Sequence, residues 1–150
     1  MHYFGNKTTL LTRAAEHIIS EIIARAEPKR SNSGPLGLVF EAVRSLVIGI
    51  VEDEPNTRAL MVVLGAAVVH EGLSDAVREL DRTTLSWIAG ELNRGILEGS
   101  IRKDIDVNFE AASITAFSRG LINLYIHDRS LNVVANMDYI LEEIRGRLSA

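Results

Sequence analysis

Apolar residues recur with helical spacing along almost the whole chain, and the points where the spacing stops divide it into segments. Between Lys7 and Ala26, Leu11, Ala14, Ala15, Ile18, Ile22 and Ile23 share one face while Arg13, Glu16 and Arg25 fall elsewhere, which predicts one long amphipathic helix. Asn6 is a good N-cap, its side-chain oxygen able to accept from the free N–H groups of the following turn, so the helix is expected to start at Lys7. Residues 28–35, Pro-Lys-Arg-Ser-Asn-Ser-Gly-Pro, join both helix breakers to small polar residues and predict a loop. From Leu36 to Val51, Val39, Phe40, Val43, Leu46, Val47 and Ile50 form a broad apolar surface interrupted by Glu41 and Arg44, the pattern of a mostly buried helix.

Asp53-Glu54-Pro55 is a restart signal, because Pro suits the first helical position and carboxylates favour a helix N-terminus. The third helix is expected to run to about His70. Its stretch Leu60 to Val69 is apolar all round, a composition that strands share, but its length and its Ala and Gly content favour a central helix. Gly72 is expected to end it and Ser74 to cap a fourth, with a stripe at Val77, Leu80, Thr84, Trp87, Ile88, Leu92 and Ile96 that stops at Gly99. Asp106 caps a fifth helix reaching about His127. A sixth, about Val133 to Leu148, has a stripe at Val134, Met137, Leu141, Ile144 and Leu148. With no persuasive β pattern and no repeat, the fold class expected is all-α, a helical bundle of about six helices.

Composition then limits the function classes. A chain of 150 residues, 47% hydrophobic, suits one domain with a real core. The net charge of −4, from 16 Lys plus Arg against 20 Asp plus Glu, provides no basic field to hold a polyanion, so these residues are not expected to bind DNA by themselves. The absence of cysteine removes disulfides and thiolate metal sites. The longest uncharged apolar run, Ala59 to Val69, is too short to span a bilayer, and the first residues lack a signal peptide's apolar core, so a cytoplasmic protein with no membrane partner is the default.

Catalytic chemistry finds no residues to use. No Glu-x-x-His pair places two ligands on one helix face, and no nucleophile elbow, phosphate-cradling loop or zinc-hydrolase motif occurs. His17 and Glu21, one turn apart, read as a surface ion pair; Glu142 and Glu143 are neighbours and face different ways. The expectation is no enzyme, no metal and no cofactor. Two other sets are more informative. Ser113, Ala116 and Gly120 lie along one side of the fifth helix, where small residues admit a close helix neighbour from the same chain or from another. Arg44, Thr84, Glu91, Asn123 and Tyr125 are polar positions inside apolar helices; any that turn inward among Phe40, Met61, Trp87 and Phe117 supply the few polar groups that orient a ligand in an apolar cavity.

Two stretches carry a family resemblance. Tyr3-Phe4-Gly5-Asn6-Lys7, followed by Leu10-Leu11, resembles the aromatic-His/Tyr-Phe-Gly-Ser/Asn-Lys-x-x-Leu-Leu signature of the tetracycline-repressor (TetR) family of bacterial transcriptional regulators. There it closes the helix-turn-helix domain and opens the ligand-binding domain. Residues 95–106, Gly-Ile-Leu-Glu-Gly-Ser-Ile-Arg-Lys-Asp-Ile-Asp, are similar to the family's link Gly-x-x-x-Gly-x-Ile/Leu-Arg-x-Asp-x-Asp. Met1 departs from the pattern, which has an aromatic residue there.

The resemblance implies that residues 1–7 are the remnant of the end of a helix-turn-helix domain and 8–150 a ligand-binding and dimerisation domain. Tyr3 and Lys7 would then be what remains of a DNA-phosphate contact, with operator DNA reached only through the missing N-terminal domain. It further implies an effector-sensing transcriptional regulator of the repressor type that binds a small amphipathic or hydrophobic molecule. Phe40, Arg44, Met61, Trp87, Glu91, Phe117 and Asn123 are the candidate pocket residues. The partner implied is a second copy, packed through the last two helices at Ser113, Ala116, Gly120, Met137, Leu141 and Ile144. The alternative is a stand-alone α-helical dimeric interaction module without an effector.

Overall fold

The computed structural model describes residues 2–26, 30–52 and 54–150. They form six helices: α1 (His2–Ala26), α2 (Arg30–Val51), α3 (Pro55–Ala66), α4 (Glu71–Glu98), α5 (Val107–His127) and α6 (Val133–Leu148). Among the described residues there is no strand, and a single bridge joins Ile101 to Ser149. The fold is all-α, as the apolar spacing predicts.

Its centre is α2, which packs against each of the other five helices. That position accounts for its composition. By length and apolarity residues Ser33–Val51 would suffice to cross a bilayer, yet a helix buried on all sides in a bundle needs the same all-round apolarity. Val39, Val47 and Ile50 meet Leu92 of α4, Ile114 and Ile122 of α5, and Met137 and Leu148 of α6 in one continuous core. Each such side chain, taken fully out of water, contributes about 1.5–3 kcal/mol.

Several boundaries differ from the expected ones. Helix α1 begins at His2, so Asn6 lies in its second turn and cannot cap it. Nothing between Tyr3 and Lys7 breaks a helix except Gly5, whose cost of about 1 kcal/mol is small against the packing of α1 on α2, α3 and α4. The last part of the expected loop is helical. Residues 30–33 are already helical, and only Gly34, with φ 66° and ψ −174°, leaves helical geometry before Pro35 opens the long arm of α2. Residues 27–29 lie outside the described set.

Helix α3 ends at Ala66 rather than near His70. Backbone N–H groups of Val68 and Val69 bond back to Gly65 and Ala66, so the chain closes the helix and turns without a glycine. Gly72 therefore sits in the first turn of α4, and Ser74 lies inside that helix, its N–H donating to the His70 carbonyl at 2.9 Å, instead of capping it. Other caps match their sequence signals. Glu54 Oε2 accepts from the Thr57 N–H at 2.8 Å and its hydroxyl at 2.9 Å, Asp106 accepts from the Phe109 N–H at 3.0 Å, and Gly99 closes α4 at φ 79°.

Candidate functional site

Four helices surround a cavity of about 90 Å³ that is partly open to solvent. Helix α2 contributes Val39, Ala42, Val43 and Leu46, and α3 contributes Leu60, Met61 and Leu64, so two walls are wholly apolar. Opposite them, α4 adds Leu80, Thr84, Trp87 and Ile88, and α5 adds Ile114, Thr115, Ser118 and Arg119. All the polar lining groups thus come from the α4–α5 side. The three hydroxyls donate to their own helices: Thr84 to the Leu80 carbonyl at 3.0 Å, Thr115 to Ala111 at 2.9 Å, and Ser118 to Thr115 at 2.9 Å. Arg119 Nη2 donates to Asp81 Oδ1, bridging α5 and α4 at the edge of the cavity.

The expected pocket residues do not share one place. Met61 and Trp87 line the cavity, as does Thr84 from the inward-polar set. Phe40 and Arg44 line a different and more polar hollow of about 350 Å³ between α2 and α6. There Arg44 Nη2 donates to Asp138 Oδ2 at 3.2 Å. Its Nε, buried and 3.1 Å from Asp138 Oδ1, is within ion-pair range but out of line for a hydrogen bond. The Arg145 guanidinium lies 5.0 Å above the Phe40 ring. One ion pair and one cation–π contact thus tie α6 to α2 here.

Glu91 is buried, but it receives Arg94 Nε at 2.9 Å and so anchors a surface arginine rather than facing the cavity. Phe117 packs partly buried against the main core, and Asn123 is exposed on α5. Thr115, Ser118 and Arg119 were not singled out by the sequence. Nothing in the local sequence marks them, and they become lining residues only where α5 packs on α4.

The other candidates divide similarly. Ala116 and Gly120 are exposed and Ser113 is half-buried, but Met137, Leu141 and Ile144 face the chain's own core at 0%, 3% and 6% exposure. The apolar stripe of α6 packs inside the chain, against α2 and α5. Lys7 is exposed in the second turn of α1. The side chain of Tyr3 lies outside the described set.

The link at residues 95–106 has a physical role for each signature residue. Gly95 leaves room for Ile101, which is 2% exposed; Gly99 takes the left-handed cap; Arg102 and Asp104 pair; Asp106 starts α5. The Arg102 guanidinium holds the Asp104 carboxyl below the usual carboxylate range. The end of the chain fastens onto this link, with the Arg102 N–H donating to the Leu148 carbonyl at 2.9 Å and the Ala150 N–H to Ser100 at 3.1 Å. Close by, Arg147 Nη2 donates at 2.8 Å to Glu110, a carboxylate only 5% exposed, joining the start of α5 to the end of α6.

No family model matches the sequence, and no curated protein matches it. A solved structure nevertheless has a similar fold. The ketosteroid transcriptional regulator KstR2 of Mycobacterium tuberculosis aligns with TM-score 0.63 at 16% identity, over 99% of this chain and 76% of that one. The chain thus shares the all-α fold of that structure.

Proposed function

We propose that this chain is the effector-sensing and dimerising part of a TetR-like transcriptional regulator, with DNA read by a helix-turn-helix domain outside these residues. The observation that carries the reading is the cavity walled by α2, α3, α4 and α5, apolar on one side and edged with hydroxyls and Arg119 on the other. Such a concave site with a few convergent polar groups is the usual form of a small-molecule pocket. Helix α1 rests on three of the four walls, so a ligand that favours one setting of α3 and α4 also favours one setting of α1. A ligand with equal affinity for both settings shifts nothing.

The second copy is assigned to the exposed side of α5. Phe109 and Leu124, 64% and 58% exposed, flank Ala116 and Gly120 on it, and Tyr139 of α6 is 68% exposed. A homodimer through this face gives the two-fold arrangement that paired DNA-reading domains need.

The test is a screen of small hydrophobic and amphipathic molecules, read by Trp87 emission and thermal shift. A ligand at about one hundred times its Kd is expected to add about 2.7 kcal/mol of stability. The rival reading, an interaction module without an effector, draws on the small volume of the cavity. It takes precedence if no compound in a broad screen moves either signal.

A further inference from the structure

Within the reading of this cavity as an effector pocket, on which this inference rests, we infer that the Arg119–Asp81 pair selects the ligand's charge: the pocket takes a neutral apolar molecule with one hydroxyl or carbonyl at its end and rejects carboxylates. The sidedness of the lining fixes the ligand's orientation. Helices α2 and α3 offer only hydrocarbon, so the ligand's apolar body lies against Val43, Leu46 and Met61, and its polar end meets Thr115, Ser118 and Arg119.

The hydrogen-bond inventory fixes the chemistry of that end. A serine or threonine hydroxyl carries one proton, and at Thr84, Thr115 and Ser118 it is already given to a helix carbonyl. Toward the ligand these oxygens can only accept. Arg119 supplies the donors, since a guanidinium has five N–H groups and accepts nothing. A ligand hydroxyl satisfies both kinds of group; a carbonyl satisfies Arg119.

Asp81 decides the charge. Arg119 is the one charged residue lining the cavity among the described residues, and its charge is already matched by the carboxylate of Asp81 across the α4–α5 contact. A carboxylate ligand arriving at Arg119 meets Asp81 as a like charge beside it, with both side chains about two-thirds buried and poorly screened. An ammonium ligand meets the guanidinium. Only a neutral end leaves the pair undisturbed.

The experiment titrates the full chain with 1-hexanol, 2-hexanone, hexanoate and hexylamine near neutral pH, following Trp87 emission and melting temperature. Hexanol and hexanone are expected to bind at least about tenfold more tightly than hexanoate or hexylamine. Asp81→Asn is expected to raise hexanoate affinity about tenfold or more and to leave hexanol within about twofold, because it frees the arginine's charge. The double variant Asp81→Asn/Arg119→Gln should lose that gain.

Equal binding of hexanol and hexanoate by the unmodified chain overturns the inference, as does an unchanged preference in a folded Asp81→Asn variant. Either result leaves the sensor reading in place. If Asp81→Asn fails to fold, the comparison of hexanol with hexanoate on the unmodified chain still decides. Silence toward all four probes while a larger carboxylate or ammonium compound binds overturns the assigned ligand class alone, whereas silence toward every compound overturns the sensor reading as well.

Discussion

Gly95 and Gly99 stand one turn apart and resist a side chain for different reasons. A Cβ on Gly95 would lie 2.4 Å from Ile101 Cδ1 and 2.7 Å from Cγ1, while one on Gly99 meets open space but sits at φ +79°. Gly95→Ala is therefore expected to cost about 1–3 kcal/mol by overpacking, and trimming the neighbour in Gly95→Ala/Ile101→Val should return part of it. Gly99→Ala is expected to cost about 1–2 kcal/mol through left-handed strain, with no rescue from Ile101→Val. Urea unfolding of these variants distinguishes the two causes. The sequence marks both glycines at a helix end, and Gly99 as the terminator is legible there; the close approach at Gly95 is not, because it depends on where Ile101 lands. Arg119 is hidden for a similar reason. Its inward direction follows from how α5 crosses α4, a geometry that the residues around it do not encode locally.

Helix by helix, periodicity identifies existence and extent well and assigns faces less well. The stripe Met137, Leu141 and Ile144 has the spacing of a contact face, but spacing alone does not say whose surface it contacts; the burial of all three against α2 and α5 makes it internal. The small-residue side of α5 had two readings, and here Gly120 is exposed with nothing within 4 Å of an added Cβ. Gly120→Leu should therefore leave the fold of one subunit intact, and even favour the helix by about 0.5–1 kcal/mol, since glycine is the poorer helix former. Against a second copy seated on α5 the same side chain is an obstruction. The expected result is an unchanged or raised melting temperature for dilute protein together with a weaker dimer by analytical ultracentrifugation. A variant that dimerises as well as the unmodified chain would move the interface elsewhere. The misplaced start of α4 has a different origin: Gly72 and Ser74 are good stop and cap residues, but the backbone turn at Ala67–Val69 had already closed α3, so neither was needed for that purpose.

For the molecule as a whole, class and helix count were legible because six amphipathic or apolar segments separated by breakers have few ways to hide their apolar faces other than a bundle. The cavity was not legible, since it is the space left where four helices fail to close, and no single segment records it. The central position of α2 has a further consequence, which concerns the order in which the molecule comes apart. Helices at the margin of a bundle can lift away singly, and α1 and α3, which carry exposed Leu10 and Val62, have fewer layers above them. Helix α2 touches all five others, so no partial opening exposes its middle. Amide hydrogens from Val39 to Ile50 should exchange with deuterium only when the entire chain unfolds, at the free energy of global unfolding, while those of α3 exchange through smaller openings. Exchange rates for α2 that exceed the global limit would mean that the bundle loosens around its own axis.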